Sequence, residues 1–104
     1  RQNTNKFRYA ILYVLGAFDD DKLVGFVRCV GDGEHILLVQ DLIVDKVYQK
    51  QGIGTVLFKT IWDRYKDVRM FQVNTDLEDE VDNHFYKSMG MKPLVEGHMI
   101  SYFR

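Results

Sequence analysis

The sequence has little of several features that mark particular classes of protein. Its single cysteine, Cys29, excludes an internal disulfide and makes a reducing, cytoplasmic setting the default expectation. No apolar run reaches the roughly 18 residues of a membrane span, and no signal-peptide pattern is present. The formal net charge is only -1, and no block of like charge is longer than residues 19–21. We therefore expect neither a membrane nor a nucleic-acid partner.

What is present suffices for one small folded domain. Of the 104 residues, 46% are hydrophobic and 13% aromatic, which predicts a chain that folds around a single core. There is no repeat, linker or low-complexity segment, so residues 1–104 are interpreted as one domain. Residues 1–8 are polar and aperiodic, as in a tail or the remnant of a missing element. Cys29 lies in an apolar run, which favours a buried strand residue over a nucleophile.

The apolar pattern predicts the element order β-β-β-α-β-α-β. Strands are expected at residues 9–18, 23–30, 36–44, 69–74 and 98–103, with a further short strand as an option at 92–95, and helices at 55–65 and from 79 or 80 to 89. A left-handed Gly90 should end the second helix. The strand after the first helix should lie parallel to the third strand, across a right-handed crossover. The fold class is therefore α/β, with one mixed central sheet flanked by helices.

The third predicted strand runs into a glycine-bearing turn that opens the first helix. Gly52 and Gly54 lack the Cβ atom that would keep an anion away from the backbone, and the helix that follows directs unpaired N–H groups at the turn. A tight strand-to-helix turn without a ligand explains these two glycines about as well. By itself, this stretch outlines a phosphate site.

Two segments resemble the GNAT superfamily of N-acetyltransferases. Gln49, Gly52 and Gly54 match the pattern Gln/Arg-x-x-Gly-x-Gly/Ala of that family's acetyl-CoA pyrophosphate loop. Residues 83–91 are similar to its Phe-Tyr-x-x-x-Gly-Phe segment, with Met91 in place of the last aromatic. The two segments have the family's order and separation, and the resemblance covers roughly residues 10–104. It implies a GNAT-like sheet that lacks the strand and helices that usually come first.

The resemblance implies a cofactor site in the notch between the two parallel strands. Acetyl-CoA would lay its pantetheine amides along the third strand and its pyrophosphate on the glycine turn. Lys50 is alternatively a solvated lysine, Thr55 a helix cap and Asn83 a solvent-facing residue. The residues that the resemblance assigns to cofactor binding are Leu42, Ile43, Val44, Gln49, Lys50, Gln51, Gly52, Ile53, Gly54, Thr55, Asn83 and Tyr86.

Two residues are candidates for catalysis. Tyr86 matches the family tyrosine that protonates the thiolate leaving group, and a phenol pKa of about 10 keeps that proton available at neutral pH. On an amphipathic helix, Tyr86 is alternatively a core or rim residue. Asp41 is a carboxylate within an apolar run, which predicts a general base or an ammonium-binding group, or else a structural hydrogen bond. The three histidines and one cysteine lack metal-ligand spacing, so no metal is expected.

The predicted function is acetyl transfer from acetyl-CoA to an amine of a small molecule or a protein, by direct attack in a ternary complex. Two alternatives stay open. One is a non-catalytic acyl-CoA-binding or regulatory module, and the other is a different phosphate-ligand binder whose turn matches by coincidence. A sheet edge left open at the first hairpin would also favour a homodimer.

Overall fold

The computed structural model describes residues 11–104, which fall into two compact units, one ending at Asn74 and the other formed by Thr75–Arg104. Residues 1–8 and the first two residues of the first predicted strand lie outside this range. In chain order the first unit contains β1 (Ile11–Asp19), β2 (Lys22–Gly31), β3 (Ile36–Val44), a 3-10 turn (Lys46–Tyr48), α1 (Ile53–Arg64) and β4 (Met70–Val73). The second contains α2 (Glu80–Ser88) and a 3-10 turn (Leu94–Gly97).

The four strands form one mixed sheet in the order β1-β2-β3-β4. β1 pairs with β2 and β2 with β3 in antiparallel fashion, whereas β3 and β4 are parallel. A parallel pair requires a crossover, and α1 provides it. The predicted α/β class, the first hairpin and the parallel pair are confirmed.

The core of the first unit lies between the sheet and α1. Alternate residues of β2 and β3 point toward the helix, and α1 meets them with residues one turn apart. The buried cluster consists of Val27, Cys29, Leu37, Val39, Leu57 and Ile61. Cys29 is fully buried, as predicted, and burial raises the pKa of its thiol to about 11.

The turn between β2 and β3 is organised by Asp32. Its Oδ1 accepts hydrogen bonds from the backbone N–H groups of Glu34, His35 and Ile36 at 2.9, 2.8 and 3.1 Å. The bond from Glu34, followed by those from Ile36 and His35, holds the pKa of the Asp32 carboxyl well below its ordinary value. A Cβ atom on Gly31 would collide with the carbonyl oxygen of Ile36, so the start of this turn requires glycine.

The second unit is built on α2. Its N-cap is Asp79, whose side chain accepts a hydrogen bond from the backbone N–H of Asp82 at 3.0 Å. Beyond its C-terminus, Gly90 has a φ of +97°, which confirms the predicted left-handed stop. No helix within residues 11–104 is long and apolar enough to cross a membrane.

The strand predicted at residues 98–103 is absent from the part of the chain that the structure describes, and so is the optional strand at 92–95. The chain instead closes the 3-10 turn: His98 donates its N–H to Val95 at 3.0 Å, Met99 donates to Leu94 at 3.1 Å, and His98 has a φ of +59°. Apolar alternation predicts a strand only when a neighbouring strand is available for pairing. Residues 98–103 alternate in the apolar character of their side chains, but no strand within residues 11–104 pairs with them. The prediction of a strand there was wrong.

Candidate active site

β3 extends beyond its pairing with β4. The parallel ladder ends at the pair Val39 and Val73, whereas β3 continues beside β2 as far as Val44. Within residues 11–74, the later half of β3 therefore has a strand on one side only. Backbone groups on the other side are available to a ligand, because no ladder satisfies them there.

A β-bulge separates the two halves of β3. Arg28 of β2 lies opposite Asp41, but the next residue, Cys29, lies opposite Val39, which leaves Gln40 as the extra residue. A bulge bends the strand that carries it and strengthens its local twist. The two halves of β3 therefore meet at a bend centred on Gln40.

Hydrogen bonding to β2 shows which backbone groups face the open side. The N–H of Asp45, just after β3, donates to the carbonyl oxygen of Val24 in β2 at 2.8 Å. Successive residues of a strand direct their N–H and C=O groups to opposite neighbours, so Ile43 also faces β2. Leu42 and Val44 then direct theirs to the open edge. Of the three predicted contacts, Leu42 offers both of its backbone groups at this edge. Val44 offers its N–H, because its carbonyl oxygen accepts a hydrogen bond from the Gln49 side chain.

The glycine turn presents backbone N–H groups at the start of α1. Gly52 is the N-cap with a φ of +84°, and no side chain caps the helix. The first helical bond runs from Val56 to the Gly52 carbonyl at 3.0 Å, so the N–H groups of Ile53, Gly54 and Thr55 precede the helical ladder. These groups and the helix dipole make the turn suitable for an anion.

Three predicted loop residues have defined positions. The Gln49 side chain donates from Nε2 to the carbonyl oxygen of Val44 at 3.0 Å, and so ties the loop to the end of β3. Lys50 is exposed and adopts a φ of +66°, which is unusual for a residue with a side chain. Thr55 does not cap α1, because Gly52 is the N-cap without side-chain help. The capping alternative for Thr55 was therefore wrong.

Asp41 forms an ion pair that the sequence analysis did not include. Nε and Nη2 of Arg28 both lie 2.7 Å from Oδ2 of Asp41, and the side chains are 42% and 32% exposed. Oδ1 of Asp41 has no hydrogen bond within residues 11–104. The pair explains how a carboxylate is tolerated in an apolar strand, and it supports the structural alternative for Asp41. A cross-strand register for β2 and β3 was the signal that would have identified Arg28.

Asn83 lies on α2 and bonds within the second unit. Its Nδ2 donates to the carbonyl oxygens of Asp76 and Leu77 at 3.0 and 3.2 Å, and its Oδ1 accepts from the Thr75 hydroxyl at 2.8 Å. These three bonds hold the segment that precedes α2. The side chain is thus a local anchor.

Tyr86 lies on the same helix and is the most buried residue of the second unit, with 9% of its surface exposed. Burial, followed by the charge of Asp82, raises the pKa of the Tyr86 phenol to about 12. The phenol keeps its proton through the whole neutral range. Among residues 11–104, no group of three or more His, Cys, Asp or Glu side chains could hold a metal ion.

Comparison with known proteins assigns the family. Residues 10–93 match the model of the acetyltransferase (GNAT) domain. A GNAT-family acetyltransferase from Streptococcus pneumoniae TIGR4 has a TM-score of 0.80 and 38% identity, over 88% of this chain and 68% of that one. No curated protein matches significantly in sequence.

Two further solved structures share the fold. An aminoglycoside acetyltransferase from an uncultured soil metagenomic sample, in complex with sisomicin, has a TM-score of 0.71 and 26% identity, over 89% of this chain and 64% of that one. Aminoglycoside N-acetyltransferase AAC(6')-Iy, in complex with CoA, has the same TM-score at 15% identity, over 89% and 75%. With the family-model match, they lead to one conclusion: the chain belongs to the GNAT acetyltransferase family.

Proposed function

We propose that this protein is an acetyl-CoA-dependent N-acetyltransferase in which an amine attacks the thioester directly within a ternary complex. The observation that supports this most strongly is that one compact unit combines the open edge of β3 with the uncapped N-terminus of α1. A strand-like ligand with a pyrophosphate at one end fits both features. Family membership supports the same conclusion.

The residues present fit the chemistry of acetyl-CoA. Amide groups of pantetheine can pair with the backbone N–H and C=O of Leu42 and with the backbone N–H of Val44, as an added strand would. The Val44 carbonyl already accepts a hydrogen bond from Gln49. The pyrophosphate then lies on the N–H groups at the start of α1, where a Cβ atom on Gly52 would have no neighbour within 4 Å and the space is open. Bound acetyl-CoA supplies an activated acetyl thioester. Lys50 adds a positive charge beside the anion.

In this proposal Tyr86 holds the proton that the leaving sulfur requires. As the C–N bond forms, the amine releases one proton, and as the C–S bond breaks, the sulfur takes one up, so the protons balance. A thiol has an ordinary pKa of about 9, well below that of this phenol, so complete proton transfer from Tyr86 alone is uphill. Tyr86 therefore acts as a hydrogen-bond donor that passes its proton on while it regains the one lost by the amine.

Asp41 is proposed to attract the acceptor through Oδ1, the carboxylate oxygen that has no hydrogen bond within residues 11–104. Arg28 occupies Oδ2 and fixes the orientation of the carboxylate, which leaves Oδ1 for an ammonium group. The relative solved with sisomicin makes a cationic small molecule the first acceptor class to test. A protein amino group is the second class. A homodimer through β1, which pairs only with β2 within residues 11–104, is also proposed.

A non-catalytic CoA-binding module is the second candidate. It is favoured by the internal partners of two predicted site residues, since Asp41 pairs with Arg28 and Asn83 bonds to its own unit. Such a module would bind CoA through β3 and α1 without catalysing acetyl transfer.

Two measurements test both candidates. The first is calorimetric titration with CoA and with desulfo-CoA, and the second is thiol release from acetyl-CoA with a panel of amines that includes sisomicin. We expect binding and amine-dependent thiol release. Tyr86→Phe should lower kcat by about 100-fold, the lower end of what general acid catalysis contributes, with little change in the Kd for CoA. Binding without release for every amine would support the module, and no binding would refute both.

A further inference from the structure

The tip of the β1–β2 hairpin contacts the segment that leads into the glycine turn. The hydroxyl of Tyr48, the last residue of the 3-10 turn, donates a hydrogen bond to Oδ2 of Asp19 at 2.6 Å. The two residues are 29 positions apart in the chain, so the bond joins separate parts of the fold. A phenol and a carboxylate at this distance form a charge-assisted hydrogen bond, which is stronger than a neutral one.

A second contact holds the other end of the same 3-10 turn. Nζ of Lys22 lies 3.9 Å from Oδ2 of Asp45 and 5.4 Å from the centre of the Tyr48 ring. The N–H of Asp45 donates to the carbonyl of Val24 at 2.8 Å. Hence both ends of the segment from Asp45 to Tyr48 are attached to the β1–β2 hairpin.

The glycine turn begins immediately after this attached segment. Gln49 follows Tyr48, and Lys50 and Gly52 then adopt left-handed backbone angles of +66° and +84°. Tyr48 is therefore the last residue of the attached segment before the turn begins. Within residues 11–104, the side-chain contact that ties the turn itself to the sheet is the Gln49 bond to Val44.

We propose that Tyr48 is a positioning residue for the pyrophosphate of the cofactor, and that Asp19 at the hairpin tip holds it in place. This inference rests on the proposed function, because it assigns the glycine turn to CoA. Tyr48 does not contact the pyrophosphate in this account: it places the backbone groups that do. The hydrogen bond to Asp19, followed by burial and the charges of Asp19 and Asp45, also raises the pKa of Tyr48, so the hydroxyl stays a donor at neutral pH.

Substitution with matched controls tests the inference. Tyr48→Phe removes the hydroxyl and keeps the ring beside Lys22, and Tyr102→Phe removes a hydroxyl from a side chain that is 89% exposed. Asp19→Ala removes the acceptor, and Asp21→Ala removes a nearby exposed carboxylate. The Kd for CoA is measured by calorimetry, and kcat/KM is measured with acetyl-CoA and with S-acetylpantetheine, which lacks the pyrophosphate.

We expect Tyr48→Phe and Asp19→Ala each to raise the Kd for CoA by about three- to tenfold. The Kd of the double variant should not exceed that of the single variant that binds CoA less tightly, because both substitutions remove the same hydrogen bond. kcat/KM should fall for acetyl-CoA and stay within about twofold for S-acetylpantetheine, because only the former uses the turn. Both controls should match the wild type. A loss shared equally by the two substrates would indicate general destabilisation and overturn the inference.

An unchanged Kd for CoA in Tyr48→Phe would also overturn the inference about Tyr48. If the wild-type chain binds CoA in the same experiment, the proposed function is unaffected by that result. Asp19→Asn gives a second route if Asp19→Ala folds poorly, and it should weaken binding by less than Asp19→Ala because an amide oxygen still accepts. If the wild-type chain binds no CoA, the proposed function fails, and this inference fails with it.

Discussion

The two halves of β3 have the same apolar character and different surroundings. From Ile36 to Val39 the strand lies between β2 and β4, and Leu37 and Val39 belong to the core. From Asp41 to Val44 it has only β2 beside it, and Ile43 is 51% exposed. The comparison shows that one half of the strand belongs to the core, whereas the other half leaves backbone groups open, where we propose that the cofactor binds. The bulge at Gln40 is where the change occurs.

The largest effect we expect is on stability, from the half of β3 that is buried. Leu37→Ala removes a fully buried side chain between the sheet and α1, and should lower the free energy of unfolding by about 2–5 kcal/mol. Ile43→Ala is the matched substitution in the open half and should cost less than about 1 kcal/mol. Urea denaturation of both variants measures the difference. Equal losses would mean that the two halves of β3 do not differ in their contribution to the core.

A second contrast concerns the turn that follows the open half. Gly52→Ala places a Cβ atom at a φ of +84°, which strains the turn by roughly 1–2 kcal/mol. We expect this to weaken CoA binding by about tenfold, since the N–H groups of α1 shift. Gly54→Ala is the control, because its Cβ atom would lie in ordinary contact 3.8 Å from Val44. Calorimetry with CoA should find the Gly54 variant within about twofold of the wild type; a larger loss there than at Gly52 would contradict the geometry.

The smallest effect is a pH dependence next to the buried half, where Cys29 lies opposite Val39. Burial raises the pKa of this thiol to about 11 from an ordinary value of 9.0, so the unfolded chain loses the proton at lower pH than the folded one. The contribution to stability is present below about pH 9 and is lost as the pH rises toward 11. The expected loss of unfolding free energy by pH 10 is about 1 kcal/mol.

Unfolding by urea at pH 8 and pH 10 measures this loss, with Cys29→Ala as the variant that lacks the thiol. The difference in the free energy of unfolding between the wild type and the variant should be smaller at pH 10 than at pH 8. A difference that stays constant would show that the thiol does not titrate as its burial implies.

The sequence predicted most of the elements because their signals are local. The third strand was expected at residues 36–44, and β3 occupies Ile36–Val44. The first helix was expected from residue 55 and begins two residues earlier, at Ile53, since Gly52 is its N-cap. Gly90 ends α2 because a left-handed residue is required there, and glycine adopts that conformation readily.

The errors and omissions concern partners. Residues 98–103 alternate like a strand, yet a strand requires a neighbour that alternation does not supply. Arg28 was not identified as the partner of Asp41, because the bulge at Gln40 shifts the register between β2 and β3. The bond between Tyr48 and Asp19 joins two loops that only the folded sheet brings together.

The sequence by itself determined the family, the α/β class and the place of the glycine turn, since these depend on residue types at short separations along the chain. Only the tertiary structure decided that the ladder between β3 and β4 ends at Val39, and which backbone groups of β3 therefore stay open. It also decided that Arg28 pairs with Asp41 and that Asp19 bonds to Tyr48. Those features depend on strand register and on contacts between distant segments. The hydrophobic pattern and the turn set the register of a regular hairpin, but the bulge at Gln40 shifts the register between β2 and β3, and that shift is decided by how the strands pack.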